Sequence, residues 1–193
     1  YYDATNATLE AAKCNDVACA GSDETISTVD STSNPGQKVS IVIGADGFPI
    51  LSYYQSTNQE LKVAKCNDVA CTGGDETLTL VDQTGIVGNA SDIAIAPDGL
   101  PIIAYHDQDG AEGSKFLNVA KCNDLACTGG NETITELSLI LSIPAEVSMA
   151  IGLDTFPIIA ASGPSSPLRL KITKCNDEAC IGNDETTTTF STS

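Results

Sequence analysis

The stretch Lys13-Cys14-Asn15-Asp16-Val17-Ala18-Cys19 decides the fold, because it returns three more times with almost the same letters. The later copies are Lys65–Cys71, Lys121–Cys127 and Lys174–Cys180. Self-similarity at a nearly constant period is the sequence signature of a repeat protein. All eight cysteines lie in these copies, five positions apart within each pair: Cys14 with Cys19, Cys66 with Cys71, Cys122 with Cys127 and Cys175 with Cys180.

The cysteine pairs predict a disulfide bond within each copy, and hence an oxidising compartment. Two alternatives stay open. Zinc would require two pairs to converge on one ion, although the pairs lie 52, 56 and 53 residues apart and lack the usual two-residue gap between ligands. The second alternative is a reactive thiol, because the lysine before each first cysteine would lower the pKa of that cysteine. The C-x-x-C-H signature of haem attachment is absent from the sequence.

The composition favours an acidic, globular, extracellular or cell-surface protein. Of 193 residues, 41% are hydrophobic, and 26 acidic against nine basic residues give a net charge of −17, which argues against nucleic acid and anionic membranes as partners. No apolar run approaches the roughly 20 residues of a membrane helix, and the absence of an initiator methionine at Tyr1 leads us to expect a mature or excised piece. Sequons at Asn6, Asn89 and Asn131, in segments expected to be turns or turn edges, agree with secretion and glycosylation.

Each full unit contains four short runs typical of β-strands, separated by Gly, Asp and Asn. We therefore predict antiparallel meanders and no helix. In the second unit the runs are Val39–Ile43, Pro49–Tyr54, Leu61–Cys66 and Thr77–Val81.

The burial pattern within a unit favours a β-propeller. The first run is apolar on both faces, with Ile41 and Ile43 on one face and Val42 on the other, so we expect it to be covered on both sides. The fourth run alternates threonine with aliphatic residues, which predicts a half-exposed strand. A gradient from a buried inner strand to a half-exposed outer strand is typical of a propeller blade. The predicted fold class is all-β, a propeller of four-stranded antiparallel blades.

The segment Ser40–Tyr54, followed by Leu61–Lys65 and a closing Val81-Asp82 pair, resembles the tandem blades of secreted bacterial β-propellers, which are loosely similar to sialidase-type propellers. The resemblance covers nearly the whole chain and implies a fold, not a site. Two departures stand out. The chain has no Trp, and the C-N-D-x-A-C insert occupies the part of the blade in which those propellers carry one. Gly44-Ala45-Asp46-Gly47 is less than a full Asp box.

Aligning the units on their cysteines defines one repeat domain, 1–193, with an incomplete first blade. That blade contains the end of a second strand, a third strand (Leu9–Cys14) and a fourth strand (Thr25–Val29). The predicted blades are 1–30, which is partial, 39–82, 91–138 and 147–190.

The missing inner strand of the first blade has two explanations. The chain is a window on a longer array, or a neighbouring chain supplies the strand by strand addition. Repeated from subunit to subunit, such a contact would make a head-to-tail filament. The apolar stretch Leu137–Ile143 in the third unit predicts an unusual blade junction or an intersubunit contact.

The loops after the second and fourth strands share the face on which propellers usually bind ligands. The candidate ligand-face residues there are Tyr54, Tyr105, His106 and Asp107. The tyrosines could stack on sugar rings, but aromatic residues on strands more often pack between blades. A catalytic histidine requires a positioned partner, and no G-x-S-x-G or paired-Glu motif supplies one. We therefore expect His106 to be a solvated residue where the long loop Asp107–Phe116 begins.

No cofactor is predicted apart from weak support for calcium at Asp46-Gly47-Phe48 and Asp98-Gly99-Leu100. Calcium requires six to eight oxygen ligands, whereas a hairpin turn accounts for Asp-Gly without an ion.

These observations predict a non-enzymatic extracellular structural module that associates with itself in a cell-surface or filamentous assembly. The alternative is a glycan-binding propeller involved in adhesion. A sialidase-like hydrolase is disfavoured because its arginine cluster is missing: Arg169 is the only arginine in the sequence.

Overall fold

The computed structural model describes residues 1–110, 114–139, 146–163, 169–182 and 184–191. Within these ranges the chain forms β-strands and no helix, so no helix there could span a membrane. The strands are β1 (Tyr2–Asp3), β2 (Thr8–Lys13), β3 (Thr25–Asp30), β4 (Gln37–Ile43), β5 (Pro49–Gln55), β6 (Glu60–Lys65), β7 (Thr77–Asp82), β8 (Val87–Ile95), β9 (Pro101–Gly110), β10 (Ser114–Lys121), β11 (Thr133–Leu139), β12 (Glu146–Ile151), β13 (Pro157–Gly163), β14 (Arg169–Lys174) and β15 (Thr186–Ser191).

The strands form four antiparallel meanders: sheet 1 (β1–β3), sheet 2 (β4–β7), sheet 3 (β8–β11) and sheet 4 (β12–β15). The all-β prediction, the four-stranded units and the incomplete first unit are confirmed. The Asp-Gly turns work as expected. Between β4 and β5, the Gly47 N–H donates to the Gly44 carbonyl at 2.9 Å, and Gly47 has a φ of 85°, which glycine adopts without steric cost. Pairing among the described strands does not close a ring.

Consecutive sheets pack through three apolar clusters, which we call the first, second and third junctions. On β5, Leu51 and Tyr53 contribute to the first junction, between sheets 1 and 2, whereas Ile50 contributes to the second, between sheets 2 and 3. Successive side chains of a strand point to opposite faces. Every residue of β5 is therefore buried, because sheet 2 lies between two other sheets.

The prediction that the first strand of each unit is buried on both faces is wrong. β4 has no fully buried residue, and Ile41 and Ile43 are 56% and 57% exposed. The equivalent of Ile41 is Ile93 on β8 and Met149 on β12, and these are 5% and 9% exposed. The difference has a simple cause: β8 packs on β4 and β12 packs on β8, whereas sheet 1 has no inner strand to cover β4.

The outer strand meets the expectation, since only the last two residues of β7 are buried. The predicted long loop Asp107–Phe116 is wrong in most of its length, because β9 continues to Gly110 and pairs with β10, with Asp107 opposite Phe116. In the stretch Leu137–Ile143, Leu137 packs against the third junction, as its equivalent Val81 packs in the second. Residues 140–143 of that stretch lie outside the described residues.

Equivalent residues on β4 and β8 give a matched test of this packing. Ile93→Ala should cost roughly 2–4 kcal/mol of the free energy of unfolding, because it leaves a cavity in a packed junction. Ile41→Ala should cost less than about 1 kcal/mol, because its side chain is already half in solvent. Urea denaturation of the monomeric protein measures both values. Equal costs at the two positions would contradict the open face beside β4.

Candidate functional site

The repeated cysteine stretch folds as one tight turn, which its aspartate and asparagine side chains hold in place. In the second copy, Asp68 Oδ1 accepts the Ala70 N–H at 2.6 Å, and Oδ2 accepts the Thr72 hydroxyl at 2.5 Å. The hydroxyl and N–H donors hold the pKa of Asp68 below its ordinary value. The side-chain amide of Asn67 donates to the carbonyl of Asp75, which fixes the return toward β7. Cys71 has a φ of 52°, a left-handed conformation held by the turn.

The structure contains all four disulfides within the copies, as the local-disulfide interpretation predicts, and no described cysteine is free. A disulfide-bonded cysteine has no thiolate to offer a zinc ion or a substrate. A bond between cysteines five positions apart closes one short loop. The structure adds that Cys66 and Cys71 are also core residues of the first junction, being 0% and 1% exposed.

The other two junctions are built in the same way, because the disulfide of each sheet packs toward the preceding sheet. Cys122 and Cys127 belong to the second junction, and Cys175 and Cys180 belong to the third. No described sheet lies on the far side of the first disulfide, and there Cys14 is half-buried and Cys19 is exposed.

In sheets 2 to 4, the lysine that opens the cysteine stretch pairs with the aspartate of the turn before the second strand. Lys65 Nζ lies 2.8 Å from Asp46 and 5.0 Å from the centre of the Phe48 ring. Burial raises the pKa of Asp46, but the hydrogen bonds from Lys65 and the Phe48 N–H, with the lysine charge, hold it below its ordinary value. The pair joins the turn before the second strand to the end of the third.

The same contact recurs in sheets 3 and 4. It joins Lys121 to Asp98 at 2.7 Å and Lys174 to Asp154 at 3.0 Å. In the described part of the chain, no group of three or more His, Cys, Asp or Glu side chains could hold a metal ion. Each turn aspartate proposed for calcium instead faces an ammonium group, which is the arrangement of an ion pair.

A buried tyrosine–aspartate hydrogen bond crosses the first two junctions. The Tyr53 hydroxyl donates to Asp30 at 2.7 Å, and the Tyr105 hydroxyl donates to Asp82 at 2.8 Å. The aspartate ends the outer strand of one sheet, and the tyrosine belongs to the second strand of the next. At the third junction the equivalent positions hold Ser138 and Ala161, so both partners are absent together.

Charge and burial define the pH range in which the first pair stabilises the fold. Burial raises the pKa of Asp30, but hydrogen bonds from Tyr53 and Thr32, together with the Lys62 charge, hold it below its ordinary value. Burial and the hydrogen bond to Asp30 raise the pKa of Tyr53. The carboxylate contribution is therefore lost as the pH falls below about 4, and the tyrosine contribution is lost as the pH rises above about 10.

The predicted ligand-face residues do not form an open site. The expectation that His106 is a solvated loop residue is wrong, because it lies on β9 opposite Leu117 and is 0% exposed. Tyr54 and Tyr105 are buried in sheets 2 and 3, in agreement with packing between blades. Asp107 is half-buried and accepts a hydrogen bond from the Asn118 amide at 3.1 Å.

The three sequons lie in different surroundings. Asn6 and Asn131 are exposed in turns, as expected, and the Asn6 amide donates to Asp3 at 2.8 Å. Asn89 departs from the expectation, since it is half-buried within β8, where the pairing with β9 is irregular between Val87 and Ser91.

An apolar groove of about 590 Å³ lies beside β2. Its floor and walls include Ala11 and Ala12 on sheet 1 and Ile41, Ile43 and Leu51 on sheet 2. It occupies the place where the missing first strand and the start of the second strand of sheet 1 would lie.

Comparisons with protein-family models, with curated proteins and with solved structures find no match for this chain. The resemblance to secreted bacterial β-propellers therefore stays a prediction.

Sequence reasoning missed the lysine–aspartate and tyrosine–aspartate pairs, although both leave a signal. Lys65 and Asp46 recur at fixed positions in units two to four, and the first unit has the lysine alone. The positions equivalent to Tyr53 and Asp30 hold a tyrosine and an aspartate at the first two junctions and neither residue at the third. Correlated presence among internal repeats could have identified these contacts.

Removing one hydroxyl tests the junction hydrogen bond. Tyr53→Phe should cost about 1–3 kcal/mol, because the buried Asp30 loses a donor. Tyr54→Phe is the matched control and should be nearly neutral, since its hydroxyl has no hydrogen-bond partner among the described residues. Chemical denaturation at pH 7 measures both. A neutral Tyr53→Phe variant would show that the hydrogen bond does not stabilise the junction.

Mild reduction should distinguish the disulfides by their burial. Cys14–Cys19 should be reduced first because exchange requires access to the sulfurs, whereas the three junction disulfides should persist until unfolding. Alkylation of the freed thiols followed by peptide mass mapping identifies which cysteine pair has been reduced. Simultaneous reduction of all four pairs in the folded protein would contradict the junction role.

Replacing cysteines gives a second measure of the same difference. Cys14→Ala with Cys19→Ala should cost roughly 2 kcal/mol, the value expected from closing so short a loop. Cys66→Ala with Cys71→Ala should cost more, because buried volume is lost as well.

Proposed function

We propose that this protein is a non-enzymatic extracellular structural module, an arc of propeller blades that associates with further copies in a cell-surface or filamentous assembly. The observation that carries the proposal is the apolar surface left uncovered on sheet 4. Ile158 is 39% exposed, whereas its equivalents Ile50 and Ile102 are 0% exposed beneath the next sheet. Phe190 is 52% exposed, whereas its equivalent Val81 is 8% exposed.

The uncovered residues lie together on one face of sheet 4 and are not scattered over the surface. Leu170 and Ile172 on β14 are half-buried on this face, and their equivalents on β6, Leu61 and Val63, are fully buried. Sheet 4 has an apolar outer face, which favours a docking role.

The first strands of sheets 2 to 4 support the propeller part of the proposal, because they converge. Asp92 on β8 accepts the Ser40 hydroxyl at 2.6 Å and the Met149 N–H at 2.7 Å. Lys38 Nζ on β4 reaches Glu146 on β12 at 3.2 Å. Inner strands of successive blades meet in this way around a propeller axis. The four disulfides support an oxidising, extracellular location.

The glycan-binding alternative has no comparable support. The residues that suggested it, Tyr54, Tyr105 and His106, are buried, so a sugar ring could not stack on them in this structure.

Sedimentation velocity across a concentration series tests the assembly. We expect reversible association that strengthens from 50 to 500 mM salt, because chains of charge −17 repel one another and salt screens the repulsion. Ile158→Glu with Phe190→Glu should abolish the association by placing charges on the apolar face. Leu153→Glu is the matched control, since Leu153 is exposed on a turn away from this face. A monomer at all concentrations and salt levels would refute the assembly.

A further inference from the structure

We propose that Asn131 is an N-glycosylation site, to which an oligosaccharide is transferred from a lipid pyrophosphate donor. The reaction joins Nδ2 of Asn131 to the anomeric carbon of the sugar, while Nδ2 loses one proton and the lipid pyrophosphate leaves. This inference rests on the extracellular location in the proposed function and is independent of self-association. The sequence offers three acceptor motifs, at Asn6, Asn89 and Asn131, and their surroundings differ.

The turn that carries Asn131 occurs in all four copies of the repeat, but only the third copy has an asparagine at this position. The other copies have Asp23, Asp75 and Asp184 there, and every copy has a threonine two residues later. An asparagine at this one position therefore completes an Asn-x-Thr motif in a turn that already supplies the threonine.

The turn does not require the side-chain amide of Asn131. The backbone carbonyl of Asn131 accepts a hydrogen bond from the Asn123 side chain, as the carbonyl of Asp75 does from Asn67. Because the acceptor is the backbone, either side chain permits this bond. Within the described chain, no hydrogen bond engages the side chain of Asn131, so Nδ2 is available for transfer.

The surroundings of Asn131 leave room for a bulky glycan. Residues 128–131 are all exposed, and a Cβ built on Gly130 would meet no atom within 4 Å. Asn131 Oδ1 would lie 3.1 Å from a Cβ built on Gly129, whereas Nδ2 lies more than 4 Å from that position. The reactive nitrogen is therefore on the side of the amide away from this glycine.

The hydroxyl group of the motif is accessible as well. Thr133 begins β11 and is exposed, and no hydrogen bond among the described residues occupies its hydroxyl. In the other two motifs, the Thr8 hydroxyl donates to Glu10 at 2.7 Å, and the Ser91 hydroxyl lies 3.2 Å from that of Ser52. In the described structure, this motif alone has both groups exposed and outside any hydrogen bond.

The amides of the other two motifs are less suited to carry a glycan. Asn89 is half-buried in β8 between the buried residues Gly88 and Ala90, so the fold leaves little room there. Asn6 is exposed, but its Nδ2 donates to Asp3 at 2.8 Å, and a glycan would have to replace this hydrogen bond.

Secretion of the full chain from eukaryotic cells that N-glycosylate tests the site. Peptide-N-glycosidase removes each glycan and leaves an aspartate in place of the modified asparagine, so the intact mass counts the glycans and a peptide map locates them. We expect a glycan on Asn131 in most molecules, a lower occupancy at Asn6 and an unmodified Asn89.

Asn131→Asp is the matched loss variant, because aspartate is the residue that the other three copies have at this position. It should lose the glycan and still fold with all four disulfides formed. Thr133→Ala should also lose the glycan, whereas Thr133→Ser should keep it, since serine preserves the motif.

Asp75→Asn is the matched gain variant and tests whether the turn itself makes the acceptor. The two glycines before Asp75 have φ values of 101° and 67°, close to the 98° and 61° of the two before Asn131, so the second copy has the same turn. Because Thr77 is already in place, this variant should carry one additional glycan.

An unmodified Asn131 would overturn the inference, as would equal occupancy of Asn131 and Asn89 in the folded protein. Failure of Asp75→Asn to gain a glycan would contradict the role of the turn. Association is measured separately, on the Asn131→Asp variant. A chain that associates but never carries a glycan at Asn131 refutes this inference and leaves the proposed function standing, and a glycosylated chain that stays monomeric does the reverse.

Discussion

A sheet of this protein can bury both faces of its second strand only when another sheet lies against each face. Successive side chains of β5 point alternately to the first and second junctions, with Leu51 on one side and Ile50 on the other. A run that is apolar on both faces therefore demands two neighbours. Sheets 2 and 3 have both neighbours within the described chain, whereas sheets 1 and 4 have one each. Ile41, Ile43, Ile158 and Phe190 are exposed on faces where a neighbour is lacking, whereas other exposed apolar residues, such as Leu78 and Ile134, lie on outer strands.

The cysteine stretch also fills the space between neighbouring sheets. Its turn is held by Asp68 and Asn67, so that the disulfide projects as a rigid apolar group toward the preceding sheet. A loop of polar residues could not fill a junction without leaving buried polar groups unpaired. The disulfide thus contributes packing between sheets as well as loop closure. Lys65 and Asp46 then hold the turn and the stretch together at the same end of the sheet.

The strands and turns could be predicted because their determinants are local: alternation with a period of two, Asp-Gly turns and the spacing of the cysteines. The exposure of Ile41 could not be predicted, because the sequence of a strand does not show whether a neighbouring sheet covers it. The sequence predicts a loop at His106, whereas the extension of β9 past this residue depends on pairing with β10. The Tyr53–Asp30 contact joins residues from different units, so its only sequence signal is their joint occurrence.

The three junctions are not equivalent, and the difference bears on assembly. The first two combine apolar packing with a buried hydrogen bond, from Tyr53 to Asp30 and from Tyr105 to Asp82. The third has Ala161 in place of the tyrosine, and its described polar contacts include the Thr135 hydroxyl donating to the Ala179 carbonyl at 3.0 Å and the Met149 N–H donating to Asp92 at 2.7 Å. Sheet 4, on the far side of this junction, also has the uncovered face around Ile158. A contact that covers this face would therefore bury apolar surface on the sheet whose own junction lacks the tyrosine–aspartate bond.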